Sequence, residues 1–225
     1  RIVRKMEVKT KGENLGKKLE LTQKQKDIIE HDNAMKLISK VEHVTITSES
    51  IRGYFVDGSS IECFYDGSYK KYDKNGTLHR SGGINSGNHL VGGHLMIQFT
   101  KFFRDKYPLN IERLIAIFID YYNNELKDSY LDLEANVMDG SGSKYTADEL
   151  NIMPDFSPDN LELCLKSKNA SHGQLIRRLA YITGNVYRFS VTDLDMLYKL
   201  MDDGNPTGNY SKLKEYCEEN LFKVR

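Results

Sequence analysis

An α+β fold is predicted, and three observations predict it. Asp57-Gly58, Asp66-Gly67 and Asn75-Gly76 recur at nine-residue intervals. Such pairs favour tight hairpin turns, because both central positions of a primed turn need positive φ. The stretches between them, Ile61 to Tyr65 and Tyr69 to Tyr72, are short and strand-like, as an antiparallel meander requires. Before the meander, and again after residue 110, the apolar residues fall at helical spacing instead.

Taken in order, residues 1 to 20 are polar and lysine-rich and read as a loose arm. Thr22-Gln23-Lys24-Gln25 has the form of a capping box, with a hydroxyl and an amide satisfying free backbone N–H groups. Ile28, Met35, Ile38 and Val41 then predict an amphipathic helix over 23–41. Strands are expected at Val44 to Thr47 and Ile51 to Val56, ahead of the meander. Ser81 to Gly93 reads as a glycine-rich link; it lacks the Gly-Lys-Ser/Thr of a phosphate loop. His94 to Phe103 reads as a further strand. Asn110 should cap a strongly apolar helix, Ile111 to Tyr122. Near the end, Ser190 opens a helix through Gly204, with Leu194, Leu197, Leu200 and Met201 as its apolar stripe, and Ser211 to Phe222 forms another. The expected organisation is a basic arm and helix (1–42), an antiparallel β region (43–107), a core (108–180) and a C-terminal helical module (181–225).

With 225 residues, 39% hydrophobic and 28% charged, the chain can bury one or two real cores, and wholesale disorder is excluded. No apolar run approaches membrane-spanning length, and no signal-peptide pattern is seen. Three scattered cysteines exclude a disulfide framework or a cysteine-based zinc site, and fit a reducing cytoplasm. Formal charge is zero, from 32 basic and 32 acidic residues, so the total does not point to nucleic acid. Its distribution is uneven. Residues 1 to 26 hold nine Lys or Arg against three Glu, and residues 66 to 106, which include Lys70 and Lys71, hold seven against three Asp. Such patches can hold phosphates.

Two fragments between Glu134 and Leu175 carry a family pattern. The first is Glu134-Ala135-Asn136-Val137-Met138-Asp139-Gly140; the second runs from Asp159-Asn160-Leu161-Glu162 to Asn169-Ala170-Ser171-His172-Gly173. Together they resemble the nuclease core of the HNH family, in its phage and intron-encoded homing-endonuclease branch. Members of that branch typically read V-N/D-H-x-D-G, a loop, then N-L-E-W followed by N-x-x-H. Upstream, Glu112-Arg113-Leu114-Ile115-Ala116-Ile117-Phe118 resembles the branch's H-R-L-V-A-x-x-F, with Glu112 where His is common. The likeness spans about residues 60 to 180. The family histidine is missing, and Val137 stands in its place.

The resemblance implies an HNH-like ββα-metal core built for phosphodiester hydrolysis. Carried over by position, Asn136 and Asn169 become ligands of one divalent metal (Mg or Mn), with Asp139 the nearest acid. Asn160 becomes a loop brace, Val137 the vacated general-base position, and His172 the trailing histidine. Lys166, Lys168, Arg177 and Arg178 stand where phosphate contacts are expected. Two neutral amides are poor partners for Mg²⁺, so the metal is expected to be weakly bound or absent. Valine cannot accept a proton, and loss of a general base costs about 10²–10⁴-fold in rate.

Three functions stand open. The first is a degenerate, phage-encoded DNA-binding protein with lost or impaired hydrolysis. The second is an active metal-dependent DNA endonuclease with a non-standard base. The third is a regulator or inhibitor that binds a host or phage protein through the same scaffold. The C-terminal helices resemble the helix-turn-helix modules of homing endonucleases. Residues 179 to 225, however, hold six basic and seven acidic side chains, which equally suits a helical hairpin that packs or forms a homodimer. No membrane partner is expected.

Overall fold

The computed structural model describes residues 33–86, 90–98, 108–128 and 130–225. The expected N-terminal arm, and the helix up to residue 32, lie outside the described residues; its last turns are helix α1, Asn33–Ile38. The fold is α+β. Strands β1 (Val41–Ile46), β2 (Ser50–Phe55), β3 (Ser60–Phe64), β4 (Ser68–Tyr72) and β5 (Leu78–Gly83) form one antiparallel sheet in sequential order. All three glycine pairs fall between strands, with Gly58, Gly67 and Gly76 at φ near +80°. Aspartates lock all three turns, since Asp57 Oδ1 accepts from the Ser59 N–H, Asp66 Oδ1 from the Ser68 N–H and Asp73 Oδ1 from the Asn75 N–H.

The meander is longer than the sequence suggests. The first residues of the expected glycine-rich link are β5, and its end is a two-residue strand, β6 (Leu90–Val91). Strand propensity is weak in Ser81-Gly82-Gly83, and what holds them extended is backbone pairing with Ser68, Tyr69 and Lys70. Strand β7 (His94–Gln98) pairs with β6 on one side and with β8 (Pro108–Asn110) on the other. The rest of the strand expected up to Phe103 lies outside the described residues.

Helix α2 (Ile111–Asn123) follows at once. Asn110 caps it by accepting from the Arg113 N–H, and Asn124 ends it in the left-handed conformation at φ 58°. Nine of its residues are buried, on most of its circumference. The inner face of the meander covers one side: Ile51, Ile61 and Cys63 are fully buried there. Gly53 is central to that contact, because a Cβ at its position would lie 2.4 Å from the Phe118 ring.

Strand β9 (Leu133–Val137) packs on the same helix and pairs antiparallel with β10 (Leu161–Leu165), Val137 lying opposite Leu161 and Asn136 opposite Glu162. The loop between them carries a short helix, α3 (Lys144–Leu150), and is tied to the meander where the Phe156 N–H donates to the Tyr65 carbonyl at 2.7 Å. Strand β10 runs directly into the 18-residue helix α4 (Lys166–Thr183).

Two apolar clusters result. One joins α1, the meander, α2 and the β9–β10 pair. The other joins α4 to β11 (Tyr187–Arg188), α5 (Leu194–Gly204) and α6 (Ser211–Asn220), through Leu175, Leu179, Leu197, Met201 and Leu213. The last strand, β12 (Phe222–Lys223), pairs with β11. Ser190 caps the entry to α5 with a full capping box to Asp193. The apolar stripes of α5 and α6 are therefore spent inside this cluster, α5 on α4 and α6 on α5.

Because Phe118 is fully buried, its ring has no free space to retreat into. Gly53→Ala is expected to lower the unfolding free energy by about 1–3 kcal/mol, the usual cost of overpacking a filled core, measured by denaturant unfolding.

Candidate functional site

A pocket of about 180 Å³ opens where β7, α2, β9 and α4 meet, and His94, Glu112, Asn136, Val137, Asn169 and His172 are among its lining residues. Both motif asparagines, Asn136 and Asn169, thus reach one cavity from opposite ends of the hairpin–helix unit.

Each amide is oriented by a carboxylate. Asn136 Nδ2 donates to Glu162 Oε1 at 2.8 Å, and Asn169 Nδ2 donates to Glu134 Oε2 at 3.0 Å. Ionised carboxylates only accept, so each amide must present nitrogen to its partner and keep its oxygen for another contact. Glu162 is shared further: its two oxygens also take the Ser190 hydroxyl at 2.7 Å and the Val191 N–H at 2.9 Å. That one side chain fixes β10, Asn136 and the start of the C-terminal unit together.

Val137 is 5% exposed and belongs to the main apolar cluster. Its methyls press on Gly142, where an added Cβ would sit 2.8 Å from Val137 Cγ2. Asn160 is fully buried and braces the loop: its Nδ2 donates to the Asp155 carbonyl at 2.7 Å, and its own carbonyl accepts from the Met138 N–H at 2.9 Å. Asp139 is 3% exposed and accepts from the Ser141 N–H at 2.8 Å. Burial raises its pKa above the usual carboxylate range. It serves the turn rather than the pocket lining.

His172 is 1% exposed, stacks obliquely on Phe189 at 4.4 Å, and donates through Nε2 to the Phe189 carbonyl at 3.0 Å. Burial pushes its pKa below the ordinary histidine value. Its ring is a neutral pin between α4 and the segment before α5.

Of the expected phosphate-contacting residues on α4, Lys166 is exposed. Lys168 lies 3.8 Å from Asp195, Arg177 2.9 Å from Glu149, and Arg178 donates to Asn205. Pairs this exposed contribute about 0–1 kcal/mol, so a phosphate can compete for these cations. Lys70 and Lys71 do not form one patch. Lys70 lies on the outer face of the sheet with its ammonium 5.0 Å from the Phe64 ring centroid, whereas Lys71 alternates to the other face, where burial lowers its pKa to about 8.

For a divalent cation, the motif residues offer two amide oxygens. Among the described residues, no group of three or more His, Cys, Asp or Glu side chains could hold a metal ion. Neutral oxygens of this kind suit only a weakly held Mg²⁺ or Mn²⁺ that keeps most of its waters.

Two residues of the pocket were not singled out as site residues from the sequence. His94 Nδ1 lies 2.5 Å from Glu112 Oε1. Glu112 is 1% exposed, and its other oxygen has no hydrogen-bond partner among the described residues. The available signal was an acid on the buried face of an otherwise apolar helix, where a lone carboxylate is costly. Comparison with protein-family models, curated proteins and solved structures finds no match.

The depressed pKa of His172 makes a directional prediction. On unfolding, the ring regains an ordinary pKa near about 6.5, so the unfolded chain binds the extra proton first as pH falls. The contribution of His172 is complete above that value and is lost as pH falls toward the depressed folded one. His94 acts with opposite sign, because Glu112 raises its pKa. Denaturant unfolding of wild type and His172→Gln at neutral and mildly acidic pH should therefore show less acid destabilisation in the variant.

Proposed function

We propose that this chain is an HNH-like, DNA-binding protein in which the hydrolytic scaffold is kept and phosphodiester hydrolysis is lost or crippled. One observation carries the reading: Asn136, Val137 and Asn169 line a single pocket, at the end of an antiparallel strand pair that runs directly into a helix. The motif spacing would not produce that convergence by itself, since residues 138–160 intervene.

In this reading the oxygens of Asn136 and Asn169 hold a hydrated Mg²⁺ or Mn²⁺ in the presence of a DNA phosphate, with Glu162 and Glu134 fixing the amide orientation. Such a cation, when bound, supplies Lewis-acid stabilisation of the phosphoryl oxygens. Asn160 keeps the connecting loop in place. Lys168, Arg177 and Arg178 exchange their weak protein partners for DNA phosphates, and the exposed Lys166 joins them. Val137 contributes packing and no proton acceptor, which removes about 10²–10⁴ in rate, or about 3–5 kcal/mol of barrier. A second reading, a working metal-dependent endonuclease, is favoured by the more exposed of the two histidines that line the same pocket, His94.

DNA affinity of the full chain should fall steeply and linearly in log–log form with salt, because each neutralised phosphate releases counterions with a slope of about −0.9. A salt-independent affinity, or none, would refute the DNA reading. Val137→His should introduce or strengthen Mn²⁺-dependent nicking of supercoiled plasmid, and adding Asn169→Ala should abolish it. Failure of Val137→His to nick while remaining folded, by thermal melt, would mean that the pocket is not a hydrolytic site short of its base.

A further inference from the structure

We infer that His94, held by the buried Glu112, takes up the proton of the attacking water in this pocket, in place of the side chain that Val137 lacks. The inference rests on the phosphodiester-binding reading above and adds to it a working, though slow, hydrolysis.

Placement comes first. His94 opens β7 immediately after Gly92 and Gly93, which have φ of +59° and +86°. That tight turn is fastened to the start of α3, where the Lys144 N–H donates to the Gly93 carbonyl at 2.9 Å and the Ser143 hydroxyl reaches the Gly92 carbonyl. A side chain at residue 93 would be strained at this φ, and its Cβ would lie 2.4 Å from Ser143 Oγ, forcing that hydroxyl to move. The imidazole is thereby delivered to the cavity that Asn136, Val137 and Asn169 line. Its side chain is 39% exposed, so water and a scissile phosphate can reach it.

The pairing sets the chemistry. A carboxylate only accepts, so the proton on Nδ1 points at Glu112, and Nε2 is the nitrogen that gains and loses a proton. A buried carboxylate that fixes the tautomer of an imidazole and stabilises its charged form is the arrangement that lets histidine act as a general base. Glu112 lies in the first turn of α2, at the positive end of the helix dipole.

A purely structural tie between β7 and α2 is the plainer alternative. It leaves unexplained why Glu112 keeps a second, buried oxygen with no partner among the described residues, an arrangement that costs about 1–3 kcal/mol. It also leaves unexplained why the pair stands at a pocket rather than in the sealed core. Buried, under-satisfied titratable groups of this kind concentrate at working sites.

The step balances without a redox partner. The water oxygen bonds to phosphorus and its proton passes to His94 Nε2. The bond from phosphorus to the 3′ oxygen breaks, and that oxygen leaves with the electron pair and takes a proton from solvent. The products are a 5′-phosphate and a 3′-hydroxyl, and His94 then releases its proton to water. His94 is the catalytic residue and Glu112 a positioning residue.

Three groups face the ring: Glu112 from α2, Glu134 from β9 and the Gly142 carbonyl from the loop before α3. Each favours the charged imidazole, against an opposing effect of burial, and the balance raises the pKa. The acid limb of the rate profile should therefore lie above the ordinary histidine range.

The test uses the full chain, supercoiled plasmid with Mn²⁺ across a pH series, and DNA affinity measured in parallel by fluorescence anisotropy. Wild type should nick slowly. His94→Ala and the bulk-preserving His94→Gln should lower the rate about 100-fold or more while leaving DNA affinity unchanged. Glu112→Gln should lower it less and move the acid limb to lower pH, a shift that loss of packing alone does not produce. Nicking by both His94 variants at the wild-type rate overturns the inference. So does a wild type that binds DNA and does not nick, and in that case the binding reading survives. A wild type that does not bind DNA overturns both.

Discussion

The need to cover α2 on nearly every side shapes the molecule. Ile111, Leu114, Ile115, Ile117 and Phe118 are all fully buried, and no single sheet can enclose such a helix. The meander takes one side, where Gly53 lets the Phe118 ring come into contact, and β7, β8 and β9 take the others. Burying side chains of this size stabilises by about 1.5–3 kcal/mol each, which outweighs the cost of carrying two acids, Glu112 and Asp120, into the same interface. The pocket is a by-product of that enclosure. It forms where β7 and β9 flank the start of α2 and where α4, leaving the β9–β10 pair, closes the remaining side.

Electrostatically, the pocket is assembled from acids that face inward to their own partners. Glu162 and Glu134 each spend an oxygen on an asparagine amide, and Glu112 spends one on His94. The groups left for a ligand are therefore two amide oxygens and one imidazole, a set far less negative than the underlying residues suggest. Such a site does not concentrate cations strongly, because neutral amide oxygens hold a divalent ion only weakly.

Much of the architecture could be read from local signals. The glycine turns, the Asn110 cap and the Ser190 cap all depend on residues within four or five positions of each other, and all appear at or near their expected places. Ser81-Gly82-Gly83 was the exception. Glycine weakens intrinsic strand preference, and only the neighbouring β4 makes that stretch extended. The site was half legible for a similar reason. Asn136, Val137 and Asn169 belong to one spaced pattern, whereas His94 stands far upstream with no local motif around it, and Glu112 looked like one charge on an apolar helix.

The sequence by itself determined where the chain turns, which helices are apolar and that no proton-accepting side chain stands at residue 137. Turn chemistry, capping and side-chain identity act over a few residues, so they survive in the linear text. Tertiary structure alone decided that the His172 ring is buried and held against Phe189, and that His94 and Glu112 share a cavity with the two asparagines. Those outcomes depend on burial and on contacts between residues 17 to 75 positions apart, which are set only when α2 is enclosed.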